Sequence, residues 1–103
     1  MNSDASVRSI KGPRRPINDQ RSRAAVLLSL RPVDYVCVFD EPTPLELIKI
    51  VRPDVLVKGG DWRKGEIVGA GFVESYRGRV VTIPVVRRIS TTKIIERICK
   101  LYA

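Results

Sequence analysis

Short apolar runs alternate with helical patterns along this chain, and that alternation restricts the possible folds more than any other feature. The apolar runs occupy residues 33–39, 55–57 and 80–86, and the helical patterns cover about 20–30, 43–52 and 91–101. Residues 66–78 predict a short helix followed by a turn at Gly78. Continuous apolar runs are typical of strands buried on both faces. Strands that alternate with helices predict an α/β protein whose parallel sheet is covered by helices and joined by right-handed crossovers.

Turn and capping residues set the expected limits of these elements. Residues 1–19 are predicted to form a loop, because Gly12-Pro13 and Arg15-Pro16 interrupt regular structure, and Asp19 offers a cap for the next helix. Thr43-Pro44-Leu45-Glu46 predicts a second helix start with Thr43 as N-cap and Glu46 completing a capping box.

Length and composition limit the class of protein. The chain has 103 residues with 44% hydrophobic content, which suits one small domain or part of one. No apolar stretch approaches the roughly 20 residues of a membrane span, and the polar start is unlike a signal peptide. Cys37 and Cys99 lie in apolar patterns, so we expect two buried, reduced thiols in a cytoplasmic protein.

The formal net charge of +8, with a pI near 10.1, favours an anionic partner without choosing among nucleotide phosphates, a phosphosugar and nucleic acid. Six cationic residues fall within the first 23 positions: Arg8, Lys11, Arg14, Arg15, Arg21 and Arg23. A solvated basic arm is the alternative interpretation of that run.

The segment from Val85 to Ile95 carries the strongest indication of ligand chemistry. An apolar run leads into Arg87 and Arg88, and then Ser90-Thr91-Thr92 opens a helical pattern. The first N–H groups of a helix lack internal acceptors and favour an anion, and hydroxyls and arginines add further donors. The alternative is an ordinary Ser/Thr helix cap beside solvated arginines.

Two other polar clusters are expected at the same edge of the sheet. They are Asn2-Ser3-Asp4, which opens the chain, and Lys58-Gly59-Gly60-Asp61-Trp62, which follows a predicted strand. Ligands of parallel α/β sheets bind outside the carboxyl ends of the strands. The glycines would let backbone approach a ligand, Asp61 could accept from a ribose or base, and Trp62 could stack. A tight turn with a surface tryptophan is the alternative.

The available side chains favour phosphoryl-type transfer over covalent catalysis. The chain contains no histidine, and neither cysteine has a basic neighbour, so no nucleophile–base pair and no zinc site is expected. Phosphoryl transfer requires mainly positioning and charge neutralisation. Lys11, between Ile10 and Gly12, could close over phosphates, although a solvated loop lysine is the commoner case.

Several motifs together resemble the cytidylyltransferase-like nucleotidyltransferases, in particular the D-glycero-β-D-manno-heptose 1-phosphate adenylyltransferase domain of ADP-heptose synthases. The matching segments, in order, are Asn2–Val7, Lys11–Asn18, Arg23–Leu27, Leu56–Trp62 and Ile89–Ile95. They cover essentially the whole chain, and the resemblance implies a Rossmann-like fold.

The resemblance also implies a reaction: a sugar 1-phosphate oxygen attacks the α-phosphorus of ATP and releases pyrophosphate, with Mg²⁺. The product would serve lipopolysaccharide core synthesis. Lys11 would be the catalytic loop lysine, with no protein metal site. The nucleotide would be bound by Lys58, Gly59, Gly60, Asp61, Trp62, Ser90, Thr91 and Thr92, and the sugar phosphate by Asn2, Asp4, Arg23 and Arg88.

One departure from the family pattern concerns its N-terminal His-x-Gly-His motif. This chain has no histidine, and the family's first strand and first helix have no counterpart in it. We therefore expect a single partial domain over residues 1–103, either a C-terminal fragment or a degenerate relative. The expected partners are a kinase domain or the missing N-terminal segment, or a second copy in a homo-oligomer.

Two other functions stay open at this point. One is a non-catalytic, nucleotide-binding fragment. The other is a small nucleic-acid-binding protein that uses the basic arm, although the aromatic residues are few and are not interleaved with the basic ones.

Overall fold

The computed structural model describes residues 1–103 as five α-helices and one two-stranded sheet. The helices are α1 (Asp4–Lys11), α2 (Gln20–Leu28), α3 (Leu45–Val51), α4 (Ala70–Ser75) and α5 (Thr91–Tyr102). The strands are β1 (Val55–Gly59) and β2 (Arg79–Ile83), and a single 3₁₀ turn covers Lys64–Glu66. No helix is both long enough and apolar enough to span a bilayer.

The two strands pair in parallel, with Val55 opposite Arg79 and Gly59 opposite Ile83. The 3₁₀ turn and α4 form the crossover between them, so this part of the chain is a β-α-β unit. A separate parallel bridge joins Asn2 to Phe39. The prediction of an α/β fold with a parallel sheet is confirmed.

A small core holds the β-α-β unit together. Its buried apolar members are Ile48, Ile67, Ala70, Val73 and Val80, and Leu56, Phe72 and Tyr76 pack against them. The chain leaves α4 through Gly78, whose N–H donates to the Val73 carbonyl at 2.9 Å. The predicted short helix and its Gly78 turn are therefore confirmed.

The N-terminal loop prediction was wrong for residues 4–11, which form α1. The Ser3 hydroxyl caps this helix by accepting from the Ser6 N–H at 3.1 Å, and both serines are buried. Gly12, with φ of 97°, ends the helix, so the turn signal was correct but the helix before it was missed. The Asp19 cap of α2 is confirmed, because its carboxylate accepts from the Ser22 N–H at 2.7 Å.

The predicted strand at 33–39 was also wrong. Only Phe39 takes part in a bridge, and Tyr35 and Val38 are exposed. The predicted strand at 55–57 exists, but Val55 and Val57 are about half exposed. The reason lies in the tertiary structure, because an apolar run becomes a buried strand only where neighbouring strands and helices cover it. Strand β1 pairs with β2 alone, so its other edge has no neighbouring strand.

Three smaller expectations were wrong. Cys37 and Cys99 are both exposed, because the faces that carry them are not covered. Helix α3 begins at Leu45 after Pro44, with no side-chain cap from Thr43. Strand β2 ends at Ile83 and does not reach Val86, since Pro84 has no N–H for the ladder.

Candidate functional site

A small cationic cavity lies between the end of α1, the α1–α2 loop and the start of α5. Its volume is about 160 Å³, and it is lined by Val7, Lys11, Arg15, Pro16, Ile17, Asn18, Arg23 and Thr91. Lys11 and Thr91, which lie at opposite ends of the sequence, therefore face the same space. Three cationic side chains and one hydroxyl suit an anion such as a phosphate group.

The start of α5 is held in place by two side chains. The Ser90 hydroxyl caps the helix by accepting from the Lys93 N–H at 3.2 Å. Arg15 Nη2 donates to Thr92 Oγ1 at 3.1 Å across 77 positions of sequence. The first N–H groups of α5 lack intrahelical acceptors and lie beside this cavity, because Thr91 lines it.

Arg88 is not part of this arrangement. Its carbonyl accepts from Lys93 Nζ at 3.2 Å, while its side chain is exposed and lines neither this cavity nor the larger groove described below. Of the residues Arg88, Ser90, Thr91 and Thr92, Thr91 lines the cavity, and Thr92 is connected to it by the hydrogen bond from Arg15.

The three remaining residues of the expected sugar-phosphate side have partners within the protein. Arg23 donates to Asp4 Oδ1 at 2.8 Å, to the Asn2 carbonyl at 2.9 Å and to the Asn18 carbonyl at 3.0 Å. Asn2 Nδ2 donates to Ser6 Oγ at 3.0 Å. Asp4, Arg23 and Asn2 are all partly buried. These contacts fix the N-terminal segment against α2 and support the walls of the cavity.

The Lys58–Trp62 segment lies on a second, larger groove of about 640 Å³. Lys58, Trp62 and Asn2 line it together with mainly apolar residues, among them Phe39, Ile48, Leu56, Val57 and Ile67. Lys58 Nζ is 5.1 Å from the centroid of the Trp62 ring, which is a cation–π distance. Gly59 and Asp61 do not line this groove.

Gly60 is the position in this segment that requires a glycine. Its φ is 105°, and a Cβ there would lie 3.1 Å from Trp62 Nε1. Its N–H continues the parallel ladder to the Ile83 carbonyl at 2.8 Å. The glycine therefore lets the chain turn so that the indole lies over the strand end.

The three polar clusters, which were predicted to meet at one edge of the sheet, lie instead at two separate sites that share no lining residue. Thr91 and Lys11 line the small cavity, whereas Lys58, Trp62 and Asn2 line the groove. The hydrogen bond from Arg23 to the Asn2 carbonyl connects the two, because Arg23 lines the cavity and Asn2 lines the groove. The sequence analysis gave no role to Arg15, although this residue lies in the basic loop and within the matching segment Lys11–Asn18.

The acidic side chains do not fit a dedicated Mg²⁺ cage. No group of three or more His, Cys, Asp or Glu residues comes together, and Asp4 is already paired with Arg23. Mg²⁺ commonly uses one or two carboxylates plus substrate phosphates, but no carboxylate lines the small cavity. None of the chemistry below is therefore assigned to a metal ion.

The structure combines a parallel β-α-β unit with a cation- and hydroxyl-lined cavity between α1, the α1–α2 loop and α5, a combination that suits an α/β protein of the nucleotidyltransferase type. The family model described as Cytidylyltransferase-like matches residues 1–97, and the chain belongs to that family.

Curated relatives match nearly the whole chain. "Bifunctional protein HldE" of Syntrophotalea carbinolica is 56% identical over 102 residues, which is 99% of this chain and 21% of the relative. Proteins of the same description from Trichlorobacter lovleyi and Geobacter sulfurreducens are 52% and 54% identical over the same shares. The chain spans about a fifth of the length of these relatives.

Proposed function

We propose that this chain takes part in the transfer of an adenylyl group from ATP to heptose 1-phosphate, in the synthesis of lipopolysaccharide core precursors. Membership of the cytidylyltransferase-like family and the similarity to bifunctional HldE proteins support this function. The observation that carries it is the cavity that Lys11 and Thr91 both line. Charge and helix-terminal N–H groups at one point are what a transferring phosphate requires.

In the proposed reaction, an oxygen of the sugar phosphate attacks the α-phosphorus of ATP. The bond between the α-phosphorus and the bridging oxygen to the β-phosphate breaks, and pyrophosphate leaves with that electron pair. Lys11 and the start of α5 would neutralise the phosphates, with Ser90, Thr91 and Thr92 at the helix start. Lys58, Gly59, Gly60, Asp61 and Trp62 would form the nucleoside edge.

The contacts refine the roles proposed for the sugar side. Asn2, Asp4 and Arg23 are hydrogen-bonded to one another or to neighbouring segments, so their proposed contribution is to shape the cavity. We further propose that residues 1–103 are part of one nucleotidyltransferase domain that works beside a kinase domain or an N-terminal segment.

A non-catalytic nucleotide-binding role is the second candidate. The absence of histidine from the chain favours it, because the His-x-Gly-His pair of the family would have to stabilise the charge on the transferred phosphorus. Both candidates require nucleotide binding through the small cavity, so binding is the first property to test.

The test is a titration of the chain with ATP, single-stranded DNA and duplex DNA at low and moderate salt, on the parent chain and on Thr91→Pro. Thr91 is the first residue of α5 and Ser90 is extended (φ −142°, ψ 155°), so proline fits there without breaking the helix. It removes one N–H and one hydroxyl from the cavity. Thr91→Ser is the matched control, since it retains both.

The proposed function expects Thr91→Pro to weaken ATP binding about tenfold, as for the loss of a charge-assisted hydrogen bond, while Thr91→Ser retains it. Weak, salt-sensitive DNA binding should be the same in all three chains. Tight DNA binding together with ATP binding that is indifferent to both substitutions would instead favour the nucleic-acid function.

A further inference from the structure

Arg15 occupies a position that none of the roles above explains. It lies in the loop between α1 and α2, yet its guanidinium reaches the start of α5 and donates to Thr92 Oγ1 at 3.1 Å. This is the only hydrogen bond that joins α5 to a part of the chain outside its own residues and the segment just before it. Arg15 therefore provides the one hydrogen bond that ties the start of α5 to the α1–α2 loop.

The charge of Arg15 has no partner in the protein. The ion pairs of the structure are Arg23 with Asp4 and Lys49 with Glu46, and Arg15 is in neither. Its side chain is partly buried and lines the small cavity beside Lys11. No carboxylate lines this cavity; Asp4 and Asp19 line a neighbouring cavity together with Arg15 but form no ion pair with it. An anion between Arg15 and Lys11 would relieve the repulsion between the two cations.

The size of the cavity restricts the anion. Pockets for whole drug-sized ligands are roughly 300–1,000 Å³, whereas this cavity holds about 160 Å³. It can therefore accept phosphate groups but not an entire nucleotide. The groove beside Trp62 is a separate space of about 640 Å³, which is large enough for a nucleoside.

We propose that Arg15 binds the distal phosphates of the nucleotide, the part released as pyrophosphate, and through Thr92 fixes the start of α5 on those phosphates. The planar guanidinium suits this role, because it can donate to two phosphate oxygens while one nitrogen keeps its bond to Thr92. The inference rests on the proposed function, which it deepens by assigning recognition of the leaving group to Arg15, a residue to which the resemblance gives no role.

The test compares Arg15→Leu with Arg14→Leu. Arg14 is the preceding residue, is exposed, and lines neither the cavity nor the groove, so the two variants lose the same charge from the same loop. Arg15→Lys is a third variant, which keeps the positive charge but loses the planar, bidentate donor geometry of the guanidinium. Inorganic pyrophosphate, ATP and AMP are titrated at one fixed ionic strength, and circular dichroism checks that each variant is folded.

We expect Arg15→Leu to weaken pyrophosphate and ATP binding about tenfold or more, as for the loss of a charge-assisted bond, and Arg14→Leu to change either by less than about twofold. Arg15→Lys should recover part of the affinity. AMP binding should be unchanged throughout, since AMP has no distal phosphates. In hydrogen exchange, pyrophosphate should protect the amides of Lys93 and Ile94 in the parent chain but not in Arg15→Leu.

Equal losses of pyrophosphate affinity in Arg14→Leu and Arg15→Leu would overturn the proposal, since they would indicate a general effect of the charge of the loop. Equal losses for ATP and AMP would also overturn it, because Arg15 would then only support the fold. If the parent chain binds ATP and pyrophosphate but Arg15→Leu binds both normally, this proposal fails while the proposed function stands. If the parent chain binds neither, both fail.

Discussion

The Arg23 guanidinium donates to Asp4 Oδ1 at 2.8 Å, and this ion pair joins the first turn of α1 to α2. About a quarter of each side chain is exposed, so solvent screens the pair only in part. The same guanidinium also holds the carbonyls of Asn2 and Asn18. One side chain thereby fixes three segments around the small cavity.

Replacement of Arg23 should therefore act on stability. We expect Arg23→Met to lower the free energy of unfolding by about 2 kcal/mol, as for the loss of hydrogen bonds to a charged group. Arg21→Met is the control, because Arg21 is exposed on the same helix, and its cost should stay within about 0.5 kcal/mol. Urea unfolding followed by circular dichroism measures the free energy of unfolding of both variants. An equal decrease in the two variants would contradict the role of Arg23 in holding these segments together.

Gly78 should not tolerate a side chain. A Cβ there would lie 2.5 Å from Val73 Cγ1 and 2.8 Å from the Val73 carbonyl oxygen, and Val73 is fully buried. Overpacking of this kind costs about 1–3 kcal/mol, so Gly78→Ala should lower the melting temperature. Gly71→Ala, on α4 with nothing near its Cβ, should instead stabilise the protein by roughly 0.5–1 kcal/mol. The paired melting curves test the packing at Gly78 directly.

Helix α2 should be sensitive to acid through its cap. The hydrogen bond from the Ser22 N–H, followed by that from the Ser22 side chain, lowers the pKa of Asp19 from its usual 3.8. The folded state thus holds the ionised carboxylate better than the unfolded state does. The resulting stability is present above the usual pKa and is lost as the pH falls through the lowered folded pKa.

The substitution that isolates this effect is Asp19→Asn, since asparagine caps a helix without ionising. The variant should show less loss of stability than the parent chain over the acid range below the usual carboxyl pKa of 3.8. Urea midpoints at several pH values provide the comparison. Parallel pH profiles for the two chains would assign the acid sensitivity to other carboxylates.

Turnover by the 103-residue chain should be negligible. It contains no histidine, and removal of even one donor to a transition state typically costs about 10²–10³ in rate. Pyrophosphate release from ATP and heptose 1-phosphate, measured with a coupled assay, should stay near the uncatalysed background. Turnover of roughly 1–10³ per second, the range of ordinary enzymes, would mean that other residues supply the charge stabilisation.

The chain should also be marginally stable or self-associating. Ile94, Ile98 and Leu101 on α5 are each at least half exposed and form one apolar face. Light scattering should show association that Ile98→Lys reduces. Glu96→Gln changes the net charge by the same amount away from that face and should leave association unchanged. A monodisperse parent monomer with a sharp thermal transition would contradict this prediction.

The sequence by itself determined the local features of this protein. Asp19 caps α2, Ser90 caps α5 and Gly78 turns the chain out of α4, because each of these effects depends on one residue and its immediate neighbours. The alternation of patterns likewise predicted the parallel β-α-β unit, and the motifs predicted the family to which the chain belongs.

Only the tertiary structure decided which surfaces are covered and which polar groups are already partnered. Hydropathy could not show that Val55, Val57 and Cys37 are exposed, because burial depends on what packs against a segment. Spacing could not show that Asp4 is bound by Arg23, or that Arg15 reaches Thr92 across 77 positions. Such contacts are set by how distant segments pack, and no local pattern in the sequence records that packing.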